Sequence, residues 1–402
     1  MRSLFNLPKE VIFCSKCVLS NQRPASIPEF LHKPSREGAR YLEMKKIPGK
    51  KNHICDACHV TEMKEKINWN KREKELEKLL NKHRSKSGNY DCVVPGSGGK
   101  DSVYASHLLK YKYGMNPLTV TWPPILYTSY GYENFRNWIE IGGFDNITFK
   151  QNGKVMKLLT KLSIQNLLHP FQTFILGQKN IGPRLATKYN IPLIFYGESE
   201  AEYGNPVHEL TATRDKSYWQ QKNLKKLFLA GMPIKRLIED YKLSIADLKP
   251  YLPLEKSEMK NKVEVHYLGY YKKWIPQESY YYSVEHSNFK ARPFRTQGTY
   301  SKYSSIDDKI DDLHYYTTFI KFGIGRATYD ASQEIRNKHL TRDEAIKLVS
   351  RYDGEYPDKY LEDVLNYLGL KKDKFNKLCD KFRSPHLWQK TSNGWKLRHT
   401  IY

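Results

Sequence analysis

The sequence has no long apolar run and only 6 cysteines among its 402 residues. No stretch approaches the roughly 20 consecutive apolar residues of a membrane-spanning helix. The N-terminal residues, which include Arg2, Lys9 and Glu10, lack the apolar core of a signal peptide. No internal repeat or low-complexity tract is present. These absences predict a soluble, cytoplasmic protein with no membrane partner.

Composition and charge narrow the class further. Hydrophobic residues make up 39% of the chain, and 23 glycines add to them, which is an ordinary content for a folded protein. A chain of this length is expected to form two or three units. The formal net charge of +24 attracts polyanions at long range. A basic solvated surface or anionic substrates such as nucleotides explain that charge as well as a nucleic acid does.

Four of the cysteines form two Cys-x-x-Cys pairs, Cys14 with Cys17 and Cys55 with Cys58. Each pair can place two thiolates on one ion, so together they predict a tetrahedral zinc site. The gap between the pairs is longer than in most zinc fingers, and the histidines beside the second pair are possible substitute ligands. Disulfides or a redox motif are the alternatives, although disulfides are rare in cytosolic proteins.

Hydrophobic periodicity after the second cysteine pair predicts alternating helices and strands. A charged helix is expected over 61–86. The strands are expected over 90–94, 117–122, 147–149, 191–196 and 263–268. The helices between them are expected over 101–113, 134–141, 153–168 and 172–189. This alternation predicts an α/β fold with a parallel sheet covered by helices on both faces. Beyond 310 the pattern is helical to the end of the chain, and a capping box begins at Thr341.

A glycine-rich loop follows the first of these strands and opens a helix, a placement that creates an anion site. Its sequence is Ser97-Gly98-Gly99-Lys100-Asp101-Ser102. The loop is not a Walker A motif, because Asp101 follows Lys100 where a Ser or Thr is needed. It is not a dinucleotide fingerprint either, because Asp101 occupies the place of the third glycine.

The loop matches every position of the Ser-Gly-Gly-x-Asp-Ser signature of the PP-loop ATP pyrophosphatases. The protein therefore resembles that superfamily. Its members split ATP between the α and β phosphates and transfer the adenylyl group to a carbonyl oxygen or its equivalent. A nitrogen or sulfur nucleophile then displaces that oxygen, which leaves as part of AMP. The resemblance implies that Ser97, Ser102 and the amides of Gly98 and Gly99 bind the departing pyrophosphate. It also implies that Lys100 adds positive charge.

The same resemblance implies further ligands of ATP and Mg2+. Asp101 would help to hold Mg2+. Thr121 and Trp122 end the second strand, where these enzymes seat the adenine. The strand that ends at 196 leads into Gly197-Glu198-Ser199-Glu200-Ala201-Glu202-Tyr203-Gly204. Gly197 is expected at the nucleotide, and Glu198 or Glu202 as the second Mg2+ ligand. The alternative for these carboxylates is a solvated acidic loop.

The whole chain resembles the N-acetyl sugar amidotransferases of bacterial surface-glycan biosynthesis. The resemblance rests on the cysteine pairs, on the acidic stretch after the strand at 191–196 and on several short motifs. These motifs are Cys14-x-x-Cys17-Val18-Leu19 with Arg23-Pro24, Gly131-x-x-Asn134, Gly143-Phe144-Asp145 and Lys321-Phe322-Gly323-Ile324-Gly325-Arg326-Ala327-Thr328. Lys321 and Arg326 are therefore candidates for neutralising the α phosphate or a substrate carboxylate. Ordinary surface charges near a turn are the alternative for both.

This family resemblance implies an amidine-forming reaction. An acetamido group of a diacetamido uronic acid, or of a nonulosonic acid of the pseudaminic or legionaminic type, becomes an acetamidino group. Such sugars occur in lipopolysaccharide O-antigens and in flagellin glycosylation. The family receives ammonia from a glutaminase subunit and a cyclase-like barrel subunit that resemble those of histidine biosynthesis. ATP, Mg2+ and Zn2+ are the implied cofactors, and nucleic acid is not an expected partner.

Two other functions stay open from the sequence. A PP-loop tRNA-modifying enzyme, either a lysidine synthetase or a 2-thiolase, fits the charge and the N-terminal cysteines. Only Cys92 and Cys379 remain beyond the zinc pairs, which argues against sulfur transfer but not against lysidine-like chemistry. An inactive nucleotide-binding scaffold is disfavoured because every chemical position of the signature is intact. The scattered histidines, among them His169 and His314, receive no catalytic role.

The predicted domain organisation follows from these motifs. Residues 1–62 form a zinc-binding module, and residues 63–87 a linker helix. Residues 88–275 form the PP-loop ATP pyrophosphatase domain, with a helical insertion near 205–260. Residues 276–402 form a mostly helical C-terminal region.

Overall fold

The computed structural model describes residues 1–25, 28–198, 200–203, 211–259 and 262–401. Ser199 and Gly204 of the acidic stretch lie outside the described residues, as does the start of the predicted insertion. Within the described ranges, no helix has both the length and the apolar character needed to cross a bilayer.

Strands and helices are numbered along the chain. The strands are β1 (Met44–Lys46), β2 (His53–Cys55), β3 (Cys92–Pro95), β4 (Pro117–Thr121), β5 (Asn146–Thr148), β6 (Leu193–Tyr196), β7 (Phe228–Leu229), β8 (Met232–Pro233), β9 (Glu264–Tyr267), β10 (Trp388–Thr391) and β11 (Gly394–Leu397). The helices of the N-terminal half are α1 (Asp56–Lys64), α2 (Trp69–His83), α3 (Lys100–His107), α4 (Ser129–Glu140), α5 (Gly153–Leu167) and α6 (Gln172–Lys188). Those of the C-terminal half are α7 (Ile234–Tyr241), α8 (Ile245–Leu248), α9 (Leu268–Tyr271), α10 (Pro276–Ser287), α11 (Asp311–Phe322), α12 (Arg326–Arg336), α13 (Arg342–Tyr352), α14 (Asp358–Leu368) and α15 (Lys372–Phe382).

Five parallel strands form the central sheet in the order β5-β4-β3-β6-β9. All five were expected from the sequence, and their bounds differ from the expected ones by one or two residues. The register pairs Cys92 of β3 with Pro117 of β4 on one side and with Leu193 of β6 on the other. The predicted α/β fold with a parallel sheet is confirmed.

Successive side chains of the central strands pack on opposite faces of the sheet, as the strand repeat requires. Val93 and Ile194 face a core that α5 and α6 complete. Val94 and Leu193 face the core on the other side, which α2 and α3 cover. Because both faces are buried, these strands are apolar throughout and do not alternate with polar residues.

The helix expected over 61–86 is two helices. The chain turns after α1, and the side chain of Asn68 caps α2 by accepting a hydrogen bond from the Lys71 amide. Leu76 and Leu80 of α2 are fully buried against the sheet. Helix α2 is therefore a layer of the α/β unit and not a linker. Its charged face concealed this in the sequence, because two buried leucines in a highly charged helix are a weak apolar signal.

The described part of the predicted insertion, 211–259, also packs on the sheet core. It contains the β7-β8 hairpin, α7 and α8. Trp219, Leu229 and Leu237 are fully or almost fully buried in the cluster that contains Val93. About half of the segment is helical, in short α- and 3-10 helices, and its isolated apolar residues are the ones that complete the core.

The C-terminal region is helical from α11 to α15, and the capping box at Thr341 is confirmed. The last residues correct the sequence expectation, because β10 and β11 form an antiparallel hairpin. The alternation of Trp395 and Leu397 with polar neighbours is the two-residue repeat of a strand. Trp388 of β10 packs with Phe322 at the end of α11, so the hairpin covers that helix.

Candidate active site

The glycine-rich loop is fixed by close packing. Gly98 has a φ of +85°, and a Cβ atom there would lie 2.6 Å from the Cα of Phe135 in α4. At Gly96, a Cβ atom would lie 2.2 Å from the Cβ of Ser102. Neither position can accept a side chain, so the loop keeps its shape because α3 and α4 hold it from outside.

The polar side chains of the loop are held by partners far away in sequence. The Ser97 hydroxyl donates to Oδ2 of Asp307 at 2.7 Å. Trp274 Nε1 donates to Oδ1 of Asp101 at 2.9 Å, while the Lys100 ammonium contacts the other carboxylate oxygen. Asp101 is therefore oriented from two sides at the start of α3, beside the loop that would bind phosphate.

Glu198 is the second carboxylate at this site. Burial raises the pKa of Glu198 to about 7, and the negative charge of Asp101 adds to the rise. Next to it, a Cβ atom at Gly197 would lie 2.5 Å from the carbonyl oxygen of Asp101, so the end of β6 is in contact with the loop. Two neighbouring carboxylates repel each other when both are ionised, and a bound divalent cation would remove that repulsion. Asp101 and Glu198 thus fit the predicted Mg2+ site.

The structure does not bring Glu202 to this site. Its carboxylate pairs with the Lys64 ammonium at 2.6 Å, both side chains are buried, and Glu202 is absent from the cavity wall. The pair joins α1 to the segment after β6. Glu202 therefore serves to attach the cysteine-containing module, and this corrects its prediction as a Mg2+ ligand.

Of the two residues predicted to contact adenine, only one lines the cavity. Trp122 lines the cavity and stacks on Phe149 at 5.5 Å between ring centroids. Thr121 is fully buried, and its hydroxyl accepts a hydrogen bond from Asn146 at 3.0 Å. The side chain of Thr121 is therefore committed to the β4-β5 edge, and only Trp122 reaches the space beside the loop.

A single large cavity of about 1080 Å³ adjoins the loop. Its wall includes Arg23 from the N-terminal module, Gln178 from α6 and Tyr303 from the segment before α11. Pockets for one small molecule are typically about 300–1,000 Å³. The volume of this cavity suits a nucleotide together with a second substrate.

The predicted cations Lys321 and Arg326 both lie in the cavity wall. Lys321 is buried and donates to the carbonyl oxygen of Leu167 at 3.0 Å. Arg326 donates from Nε to Asp330 at 2.8 Å and from a terminal nitrogen to the Tyr315 hydroxyl at 2.7 Å. Neither side chain is an ordinary surface charge, and both stay predicted participants in substrate binding.

The four cysteines Cys14, Cys17, Cys55 and Cys58 form one buried cluster. Their sulfur atoms all lie within 4.8 Å of one another. The Cys14–Cys58 sulfur distance is 3.8 Å and the Cys17–Cys55 distance is 3.6 Å. These values exclude disulfides, whose S–S bond is about 2.05 Å. They fit a tetrahedral zinc ion, because a Zn–S bond of about 2.3 Å places the sulfurs about 3.8 Å apart.

The cysteine cluster supports the active site through a short chain of contacts. Lys64, at the end of α1, donates to the carbonyl oxygen of Trp274 at 3.1 Å and also pairs with Glu202. The indole of Trp274 in turn donates to Asp101. A metal at the cysteines would therefore hold in place the residue that orients the carboxylate of the loop.

Trp274 and Asp307 are the site residues that the sequence reasoning missed. Neither belongs to a motif with a known spacing, and each lies more than 170 residues from its partner in the loop. The sequence carried one indirect signal for Asp307, namely Gly131, where a Cβ atom would lie 2.3 Å from the Cα of Asp307. The Gly131-x-x-Asn134 motif thus marks the surface on which the Asp307 segment packs.

Comparison with known proteins adds information about the C-terminal region. Residues 297–402 match the family described as "LPS biosynthesis protein WbpG-like, C-terminal domain". The match covers about a quarter of the chain and includes α11 and α12, which line the cavity.

The other similarities are short or remote. A stretch of 67 residues is 45% identical to an uncharacterized protein of Methanocaldococcus jannaschii, and it spans 17% of this chain and 24% of that protein. An NMN synthetase from Francisella tularensis shares 13% identity with a TM-score of 0.27, over 62% of this chain and 93% of its own. The U34-tRNA thiolase NcsA from Methanococcus maripaludis, solved with its 4Fe–4S cluster, shares 14% identity with a TM-score of 0.31, over 90% and 99%.

Proposed function

We propose that the protein is an ATP-dependent amidotransferase that converts an acetamido group of a bacterial surface-glycan sugar into an acetamidino group. One observation carries the proposal: a single cavity joins the signature loop to the region that matches the lipopolysaccharide family. The loop contributes Ser97 and Asp101, and the matching region contributes Lys321 and Arg326. ATP and a sugar substrate would therefore meet in one cavity.

The loop end of the cavity is suited to ATP. The amides at the start of α3, the hydroxyls of Ser97 and Ser102 and the Lys100 ammonium would receive the β and γ phosphates. Asp101 and Glu198 would hold Mg2+, which would supply positive charge beside the phosphates. The helix α3 begins at Lys100, so its positive end adds to the same field.

The proposed reaction balances as follows. The oxygen of the acetamido group attacks the α phosphorus of ATP, and pyrophosphate leaves to give an adenylated imidate. Ammonia then adds to the imidate carbon, and the C–O bond breaks. AMP departs with the former amide oxygen, and an amidine remains. Arg326, on the cavity wall, would stabilise the negative charge that develops on the α phosphate.

Ammonia must reach this cavity in its unprotonated form. We propose that a glutaminase subunit and a cyclase-like barrel subunit deliver it, as the family resemblance implies, and that the complex acts in the cytoplasm. The two remaining cysteines do not favour the tRNA-thiolation alternative. Cys92 lies in the sheet core and Cys379 in the C-terminal helical core, both fully or almost fully buried and in different clusters.

The proposal is tested by supplying ATP, Mg2+, ammonium and a diacetamido uronic acid to the purified protein. We expect AMP and pyrophosphate to form, and mass spectrometry to show a product in which one oxygen is replaced by NH. Asp101→Asn and Ser97→Ala should abolish both products while the protein stays folded. Asp373→Asn and Ser392→Ala change the same residue types at exposed positions and should keep full activity. Modification of tRNA in place of the sugar would contradict the proposal.

A further inference from the structure

A second polar group lines the cavity and shares no residue with the loop. It combines the N-terminal module, the end of α5 and one face of α11. Its members are Glu29, His32, Arg36, His169, His314 and Lys321. On α11, His314, Thr318 and Lys321 follow the spacing of one helix face, so this polar stripe points into the cavity.

Neither strong base of this group forms a direct ion pair with a carboxylate of the described residues. No carboxylate of the described residues lies within 4.0 Å of a nitrogen of Arg36 or Lys321 in an ion pair. Arg36 lies over the rings of Tyr41 and Phe322, and its Nε is buried without a hydrogen-bond partner. The one carboxylate of the group, Glu29, pairs with His32 at 2.8 Å.

Buried cations without a counterion are unfavourable, because desolvation is not offset by an opposite charge. Burial lowers the pKa of Lys321 well below its usual range, and the positive charge of Arg36 lowers it further, while the negative charge of Glu29 offsets only part of this shift. An anion entering beside these groups would supply the direct ion pair that Glu29, which contacts His32, does not make. The negative charge of the bound anion would then favour the charged form of Lys321.

The two histidines supply neutral hydrogen-bonding groups at the same place. His169 stacks on His314 with 5.1 Å between ring centroids. The Nδ1 atoms of both rings are buried without a hydrogen-bond partner. Burial lowers the pKa of His314 to about 3 and that of His169 well below its usual range. Both rings are therefore neutral at physiological pH and can donate an N–H to an anionic oxygen.

A metal ion is the competing occupant. The ligand atoms of Glu29, His32 and His169 lie within 4.8 Å of one another, which is close enough to hold an ion. The positive charges of Lys321 and Arg36 act directly on His169, where they help to lower its pKa. They would repel a cation at the same position, and the two bases outnumber the one carboxylate, Glu29, so the charge distribution favours an anion.

We propose that Arg36, Lys321 and the stacked His169–His314 pair bind an anionic group of the acetamido sugar. This inference rests on the proposed function and adds the residues that would receive the charged group of the substrate, whether a carboxylate or a phosphate. Arg326 lines the same cavity, and its charge acts both on His314 of this subsite and on Tyr303, where the charge of Asp101 also acts. A sugar held at this subsite would extend toward the loop.

Calorimetric binding to the intact protein tests the proposal with three ligands. These are a diacetamido uronic acid, its neutral 6-amide, and a neutral diacetamido hexose linked to a nucleoside diphosphate. We expect Lys321→Met to raise Kd at least about tenfold for an anionic ligand and to leave Kd for the neutral amide and for ATP unchanged. The ligand whose affinity falls identifies the anion as carboxylate or phosphate.

The controls separate binding from folding. Lys321→Arg keeps the charge and should retain most of the affinity, whereas Lys235→Met removes an exposed lysine and should change nothing. If Lys321→Met does not fold in thermal unfolding, Arg36→Met carries the same test. Equal binding of the acid and its amide, unaffected by Lys321→Met, would overturn the proposal while sugar turnover still supported the enzyme assignment.

Two further outcomes complete the test. A stoichiometric metal in addition to that of the cysteine cluster, lost on His169→Ala, would overturn the anion site in favour of a metal site. Absence of AMP formation with every acetamido sugar would instead contradict the proposed function itself. The inference and the function on which it rests therefore fail in different measurements.

Discussion

Two adjacent glycines of the loop separate a structural requirement from a functional one. Gly98 needs its positive φ and has no room for a side chain. Gly99 has a φ of −70°, which any residue adopts, and a Cβ atom there would meet only the Ser97 hydroxyl oxygen, at 3.9 Å. Alanine at position 99 would therefore fit the protein and enter the cavity, where we expect the phosphates to bind.

The expected stability changes differ accordingly. In Gly98→Ala, a positive φ costs about 1–2 kcal/mol, and overlap with the α4 backbone adds about 1–3 kcal/mol. Together these lower the free energy of unfolding by about 2–5 kcal/mol. In Gly99→Ala, the loss of glycine at the start of α3 costs at most about 1 kcal/mol. Urea denaturation of the two variants measures the difference.

The expected effect on activity is seen in Gly99→Ala, the variant that loses little stability. Each amide hydrogen bond to a charged phosphate is worth about 1.5–3 kcal/mol. If Gly99→Ala displaces one of them, KM for ATP should rise about 10- to 150-fold in a pyrophosphate-release assay. Gly153→Ala, at the open first position of α5, is the matched control and should leave both measurements unchanged. A stable Gly99→Ala protein with unchanged KM would refute phosphate binding at this loop.

Three further predictions concern the surroundings of the loop. Metal analysis should find about one zinc per chain, lost with part of the thermal stability in Cys14→Ser; a stable protein free of metal would contradict the zinc site. Trp274→Phe removes the donor to Asp101 but keeps an aromatic ring, so pyrophosphate release should fall while the melting temperature changes little; unchanged release would show that the indole does not orient the carboxylate. Asp353 accepts the Gly325 amide before α12, and burial raises its pKa from 3.8 to about 6. Its ionisation therefore disfavours folding. The stability of the wild-type protein relative to Asp353→Asn should fall by about 2 kcal/mol as the pH rises from 4 to 7; a difference that is constant with pH would contradict this.

The parallel sheet was predictable because its strands are short apolar runs buried on both faces. Val93 and Val94 pack on opposite sides of the sheet, yet both are apolar, so the run alone identified β3. Helix α2 was misjudged as a linker because only a few of its residues carry the packing. The C-terminal hairpin was missed because the helical pattern before it was extended past a clear alternation at Trp395 and Leu397.

In the candidate site, too, residues set by local spacing were predictable, and residues whose partners are distant in sequence were not. Ser97 and Asp101 were recognisable because their chemistry depends on local spacing at the start of one helix. Glu202 was misassigned because it lies close in sequence to Glu198, whereas in space it pairs with Lys64. The partner that orients Asp101, Trp274, comes from a distant segment and leaves no mark in the local pattern.

The sequence by itself determined the local chemistry: the cysteine pairs, the glycine-rich loop and the alternation of strands and helices. Each of these depends on residues that are close along the chain, where backbone geometry fixes their spacing. The tertiary structure decided which distant residues share the cavity: Glu198 lies with Asp101 while Glu202 does not, and Arg36 lies with Lys321 and the stacked histidines. Burial and the absence of a direct ion pair at these two bases exist only after the segments pack together, and they define the charge that a substrate must bring.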